Sequence, residues 1–216
     1  MEDCYVYHPQ GKFDCGDPEM SLIGVYDGHG GRDIVNFLEH RLAKNIAQEI
    51  RHPDDASIAT RLERAFFLTD IQSHRSDLVV SGATVAVCLL KRTSRNVTIY
   101  AANVGDARAV MSYPTDTKTT ASSSKTGAVL RLTRDHRASD VDEVARIEAA
   151  GGFVLKNRVL GVLAVTRSLG DHGLKEFVIG RPDVKEVTVE CGDGDGFVIV
   201  ACDGLWDVIE DEEAVK

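Results

Sequence analysis

The sequence predicts an α+β fold built on antiparallel sheets. Runs of apolar and β-branched residues far outnumber the helical segments that could cross between neighbouring parallel strands, and the long helical patterns fall in separate blocks. Adjacent strand-length runs are also joined by short charged turns, which favours antiparallel pairing. At 216 residues with 43% hydrophobic content, the chain is long enough for one core and too short to require two, so residues 1–216 are read as a single domain.

Met1 to Pro18 is polar and irregular except for an extended piece at Cys4-Tyr5-Val6-Tyr7. Leu22 to Tyr26 reads as a buried strand that stops at Asp27-Gly28-His29-Gly30-Gly31, where the glycines demand a tight or left-handed backbone. From Arg32 onward, Ile34, Val35, Leu38, Leu42, Ile46 and Ile50 recur at helical spacing. Pro53-Asp54-Asp55 breaks that helix and is expected to cap a second, whose apolar face runs through Ile58, Leu62, Ala65, Phe66, Thr69 and Ile71. Ala83 to Leu90, Val97 to Ala102 and Ala107 to Met111 read as successive strands. Ser112 to Gly127 is rich in Ser, Thr and Lys with almost no apolar residue, so residues 112–128 are expected to form a mobile, solvated loop. Val129 to Leu132 resumes a strand, and Ser139 is expected to cap a helix carrying Val141, Val144, Ile147 and Ala150, ended by Gly151-Gly152. Phe153 to Val165 alternates as a short hairpin, Thr166 to Asp171 turns, and Val184 to Val189 and Phe197 to Ala201 are the last strands. A helix is expected from Trp206 onward.

The net charge of −9 and the lack of any Lys/Arg-rich run argue against a nucleic-acid or anionic-membrane partner. Ala83 to Leu90, the longest apolar run and broken only by Thr84, is far below a membrane span, and Met1-Glu2-Asp3 has the wrong charge to open a secretory signal. A cytoplasmic or nuclear location is expected, with the chain acting as a monomer. The five cysteines form no C-x-x-C pair and are read as free thiols.

Three apolar runs end in acidic residues: Tyr26-Asp27-Gly28, Cys202-Asp203-Gly204 and, more loosely, Val104-Gly105-Asp106. Hard divalent cations such as Mg²⁺ and Mn²⁺ prefer oxygen ligands, and carboxylates at strand ends offer them on a rigid scaffold. Gly28, lacking Cβ, lets its own carbonyl approach a cation. Two such ions can activate water and cancel phosphoryl charge, while His29 is placed to protonate a departing alkoxide. A bland reading competes: an isolated Asp-Gly is usually only a turn, and a lone histidine is more often structural. On spacing alone Asp207, one turn past Asp203, faces either the site or solvent.

The motifs together resemble a known family. Met1-Glu2-Asp3, Val25-Tyr26-Asp27-Gly28-His29-Gly30-Gly31, Ser81-Gly82-Ala83-Thr84, Ala102-Asn103-Val104-Gly105-Asp106-Ala107-Arg108, Leu132-Thr133-Arg134-Asp135-His136, Leu163-Ala164-Val165-Thr166-Arg167-Ser168-Leu169-Gly170-Asp171 and Ala201-Cys202-Asp203-Gly204-Leu205-Trp206-Asp207 occur in the order seen in metal-dependent Ser/Thr protein phosphatases of type 2C. The resemblance covers nearly the whole chain. It implies two antiparallel sheets packed as a sandwich with flanking helices, a binuclear Mg²⁺/Mn²⁺ centre, and hydrolysis of phosphoserine and phosphothreonine in protein substrates without a phosphoenzyme. On matching positions it implies Asp27 bridging the metals, Gly28 binding through its carbonyl, Asp203 ligating one ion, and Glu2 holding metal-bound water with Asp3 beside it. His29 is implied as the general acid, Asp106 and Asp207 as carboxylates of a weaker third metal site, and Asp171 as a supporting residue. The family also carries an Arg before its Met-Glu-Asp motif and an Asp-Asn motif on a late strand. Neither occurs in these residues, so the sandwich is expected to be C-terminally incomplete. The competing function is a catalytically inactive, phosphatase-like binding module, against which the retained Asp27, His29 and Asp203 speak. An aspartyl-phosphate enzyme would need Asp-x-Asp where Asp27 is followed by Gly28-His29.

Overall fold

The computed structural model describes residues 2–113, 128–190 and 196–216. In chain order the elements are β1 (Cys4–His8), β2 (Met20–His29), α1 (Asp33–Arg51), α2 (Ile58–Arg75), β3 (Gly82–Arg92), β4 (Asn96–Val104), β5 (Arg108–Tyr113), β6 (Ala128–Arg131), α3 (Val141–Ala149), β7 (Val154–Leu155), β8 (Arg158–Val159), β9 (Leu169–Gly170), β10 (Asp183–Glu190), β11 (Phe197–Ala201), α4 (Asp203–Trp206) and α5 (Asp211–Ala214). One sheet runs β1-β2-β3-β4-β10, with β9 also pairing the start of β3. A second runs β11-β5-β6, and β7-β8 form a separate hairpin. Every named strand pair is antiparallel, as the sequence predicts.

The central strand β3 is buried on both faces, and its period-two alternation divides two cores. Val85, Val87 and Leu89 join Leu22 and Tyr26 of β2 and the helical stripe Ile34, Val35, Leu38, Leu42 and Ile46. Cys88 and Leu90 face the other way, packing with Ile99 and Ala101 of β4 against Ala109 and Met111 of β5 and Val198 and Val200 of β11. The two sheets therefore lie face to face, with α1 and α2 covering the outer side of the larger one. A third, smaller cluster packs Ile147 of α3 against Ala138, Val159 and Val178.

Several boundaries differ from the sequence reading. The cap of α2 is Ser57, whose Oγ accepts from Thr60 N at 3.2 Å, because it immediately precedes the helix. Asp54 instead holds Arg61 and Arg64 by ion pairs of 2.7 and 2.5 Å. The inward stripe of α2 continues through Ser73, and Ile71 is half exposed. Asp140, not Ser139, caps α3, accepting from Asp142 N and Glu143 N; Val141 is exposed while Glu143 is buried beside Ile147. Leu169 and Gly170 form a short strand rather than only a turn. The expected C-terminal helix is two single turns, since Asp211 is drawn inward by Arg108 (2.7 Å) and Arg131 (2.6 Å). Of the expected loop 112–128, Ser112 and Tyr113 belong to β5 and Ala128 opens β6, while residues 114–127 lie outside the described residues. Four cysteines among the described residues, Cys4, Cys15, Cys88 and Cys202, are free thiols. No helix among the described residues is long and apolar enough to cross a membrane.

Candidate metal centre

The acidic strand ends meet at one edge of the sandwich. Asp27 sits near the end of β2, opposite Thr84 of β3, and alternation places it on the same strand face as Ile23, toward the second sheet. Asp203 opens α4 directly after β11, the strand of the second sheet that packs on β2 and β3. Glu2 and Asp3 lead into β1, which is registered on β2 with Cys4 opposite Tyr26. Ligand atoms of Asp27, Cys202 and Asp203 all lie within 4.8 Å of one another.

Crowding of like charges shows in Asp27, whose carboxyl is pushed from an ordinary 3.8 up to about 7. Burial is the largest cause, followed by the charges of Asp203 and Asp3, a hydrogen bond shared with Asp3, and the charge of Asp106. An acidic cluster with oxygen donors from separate elements suits a hard divalent cation. Gly28 adds a backbone condition: a Cβ there would lie 2.6 Å from Val35 Cγ2 and 2.9 Å from Glu2 O, so only glycine lets the three segments close. Cys202, which sequence reasoning did not single out, is drawn above its ordinary range chiefly by burial, and as a protonated thiol it is a poor ligand.

His29 is held by Asp171, the residue directly after β9. Its Nε2 lies 2.7 Å from Asp171 Oδ2, which also accepts from Ser168 Oγ at 2.5 Å. Burial pushes the imidazole down, but the Asp171 hydrogen bond and the charges of Asp171, Asp27 and Glu2 outweigh it, so His29 titrates above its ordinary value. Asp171 adopts a left-handed backbone (φ 48°) and donates its N–H to Ser81 O at 3.0 Å. Gly82 leaves the space for this pair, because a Cβ on it would overlap both Asp171 Oδ2 and His29 Nε2.

Residues 1–216 match the family model for Protein phosphatase 2C. The chain belongs to the protein phosphatase 2C family. It is 34% identical to Protein phosphatase 2C homolog 1 of Schizosaccharomyces pombe, over 93% of this chain and 55% of that protein. It is 35% identical to Protein phosphatase 2C homolog 1 of Saccharomyces cerevisiae, over the whole of this chain and 75% of that protein. The chain thus spans about half the length of the first of these relatives. Among solved structures, a C. elegans sex-determining protein aligns with a TM-score of 0.79 at 26% identity, covering 99% of this chain and 50% of the other. A serine-threonine phosphatase 2C of Toxoplasma gondii shares the fold, with a TM-score of 0.74 at 20% identity over 99% of this chain and 77% of that one.

Within this protein phosphatase 2C chain, the two remaining acidic candidates face one guanidinium. Asp106, buried in the turn after β4, has Oδ2 3.1 Å from Arg137 Nε. Asp207, the exposed residue that follows α4, has Oδ1 2.6 Å from Arg137 Nη2. Two ion-pair lattices fix the segments that carry the site. Arg108 donates from Nε and Nη2 to the two oxygens of Asp135 (3.0 and 2.5 Å) and lies 5.1 Å from the Trp206 ring centroid, which anchors α4 and hence Asp203. Glu143 of α3 receives Arg167, whose Nη1 also reaches Asp183 at 2.9 Å, so α3 and the loop bearing Asp171 are tied to β10. Arg137, Glu143 and Ser168 escaped the sequence reading. Arg137 and Ser168 sit inside or beside the quoted motifs, whereas nothing in the α3 pattern marks Glu143 as buried.

Proposed function

We propose that the protein carrying this chain hydrolyses phosphoserine and phosphothreonine in protein substrates at the edge formed by Asp27 and Asp203. The observation that carries this reading is the convergence of Asp27, Asp203 and Asp3 beside a histidine locked by Asp171, in a chain of the protein phosphatase 2C family. Asp27, the Gly28 carbonyl and Asp203 would hold two Mg²⁺ or Mn²⁺ ions, with Glu2 reaching them through water and Asp3 beside it. Asp106 and Asp207 would hold a weaker third. Bound there, the ions supply an activated water at neutral pH and offset charge on the phosphoryl group.

The chain's own groups do the rest. Asp27 and Asp203 gather positive charge at the sheet edge, and Asp3 keeps the first strand against it. Burial disfavours the imidazolium of His29, but Asp171 and Asp27 favour it and outweigh burial, and the ring is placed to pass a proton to the seryl or threonyl oxygen as the ester bond breaks. Asp171 fixes the ring and is itself fixed by Ser168. The chain's net charge of −9 gives it no electrostatic call on nucleic acid.

The test is phosphate release from a phosphothreonine peptide by the full-length protein. Activity with Mn²⁺ that a chelator abolishes and excess Mn²⁺ restores is the expected result. Release that is indifferent to chelation, or no release with Mn²⁺ or Mg²⁺, would overturn the reading.

A further inference from the structure

The guanidinium between Asp106 and Asp207 stands where a cation would. Its Nη2 donates to Asp207 Oδ1 at 2.6 Å, a short charge-assisted bond. Its Nε lies 3.1 Å from Asp106 Oδ2 without the alignment of a hydrogen bond, leaving that N–H buried and otherwise unsatisfied. The Asp106 side chain is 9% exposed and that of Asp207 54%, with Arg137 at 34% reaching from one to the other. The backbone of Arg137 is fixed independently: it pairs with Val165 as an isolated bridge, and its carbonyl accepts from Asp140 N at 2.9 Å. The Arg137 side chain, a third exposed, therefore has solvent to withdraw into while its backbone stays paired, whereas Asp106 is held in a buried turn.

We infer that Arg137 is a resident counter-cation for Asp106 and Asp207, so that any divalent ion taken by this pair must first displace the guanidinium. The inference rests on the metal reading above and sharpens it. Asp27 and Asp203 meet no such arginine among the contacts described, so the two regions of the acidic edge should differ in ion affinity. The chain selects which ions stay bound by whether a side chain of its own already occupies the carboxylates. A unit positive charge at this range opposes a dication strongly in a half-buried setting, so removing it should tighten the weakest class of bound ion by about tenfold or more.

The experiment counts Mn²⁺ bound to the full-length protein by calorimetric titration and by electron paramagnetic resonance of free Mn²⁺, neither of which needs turnover. Arg137→Gln should leave the tighter ions unchanged and strengthen the weakest class, or bring into range an ion that the native protein does not bind. Arg137→Lys, which keeps the charge and the backbone contacts but cannot reach both carboxylates, should give a smaller gain, and it carries the test if the glutamine variant does not fold. Adding Asp207→Asn to Arg137→Gln should abolish the gain. Ions bound with the same number and affinity in native protein and both Arg137 variants would overturn this inference while leaving the centre at Asp27 and Asp203 standing. No Mn²⁺ binding in any form would overturn both.

Discussion

Asp171 is close to His29 in space only because β9 pairs with the start of β3, setting Gly170 opposite Gly82. The dyad is thus a product of register, and its function can be read by substrate choice. His29→Ala should slow alkyl phosphoester hydrolysis by about 10²–10⁴-fold while barely changing aryl esters, whose phenolate leaves without a proton. Asp171→Asn should follow the same split to a lesser degree, measured as kcat on a phosphothreonine peptide against p-nitrophenyl phosphate. Equal slowing on both substrates would remove the proton-delivery role. Asp27→Asn and Asp203→Asn should each abolish turnover on both substrates with an unchanged circular dichroism spectrum, because the loss is of an anionic ligand rather than of packing. Retained turnover in either would remove it from the centre. Asp27 and Asp203 were legible in the sequence because each closes an apolar run with a glycine after it. Arg137 was not, since a single arginine after a turn carries no periodic signal.

The connection of α3 to β10 through Glu143, Arg167 and Asp183 is an element-scale device with a pH signature. Burial pushes the Glu143 carboxyl up, but hydrogen bonds and charge from Arg167, with Thr166 and Arg146 behind it, bring it from an ordinary 4.5 down to about 2. A carboxylate depressed on folding contributes stability that is complete above its unfolded value and is lost as pH falls through the folded one. The part due to Glu143 is therefore present above about pH 4.5 and disappears toward about pH 2, a window in which native protein should unfold by fluorescence or circular dichroism. Glu143→Gln takes from Arg167 the buried one of its two carboxylate partners, Asp183 remaining, and breaking a buried pair typically costs about 3–5 kcal/mol. A variant as stable as the native protein at neutral pH would contradict the lattice. At this scale the sequence served well for β2, β3, β4 and α1, whose apolar runs or periods are strong, and poorly at caps and for α3. There a charge network pulls a glutamate inside and leaves Val141 in solvent, a reversal that periodicity cannot announce.

For the molecule as a whole, two sheets and their shared core serve to bring charges of one sign together, which opposes folding until a counter-charge arrives. Mn²⁺ at about a hundredfold excess over its dissociation constant should add about 2.7 kcal/mol of stability, a rise in Tm of about 5–10 °C, and Asp27→Asn should remove most of it. A Tm indifferent to Mn²⁺ in the native protein would show that the acidic edge binds no ion. The antiparallel α+β class was legible because strand runs outnumber crossovers, but the convergence of the edge depends on how β11 stacks on β2 and β3, which no local pattern encodes. That stacking also sets a timetable for synthesis. Glu2 and Asp27 emerge early on the nascent polypeptide, but Asp203 leaves the ribosome only after β11 and cannot join them before the second sheet docks. A nascent chain therefore holds Asp27 without Asp203 beside it until β11 has emerged and docked.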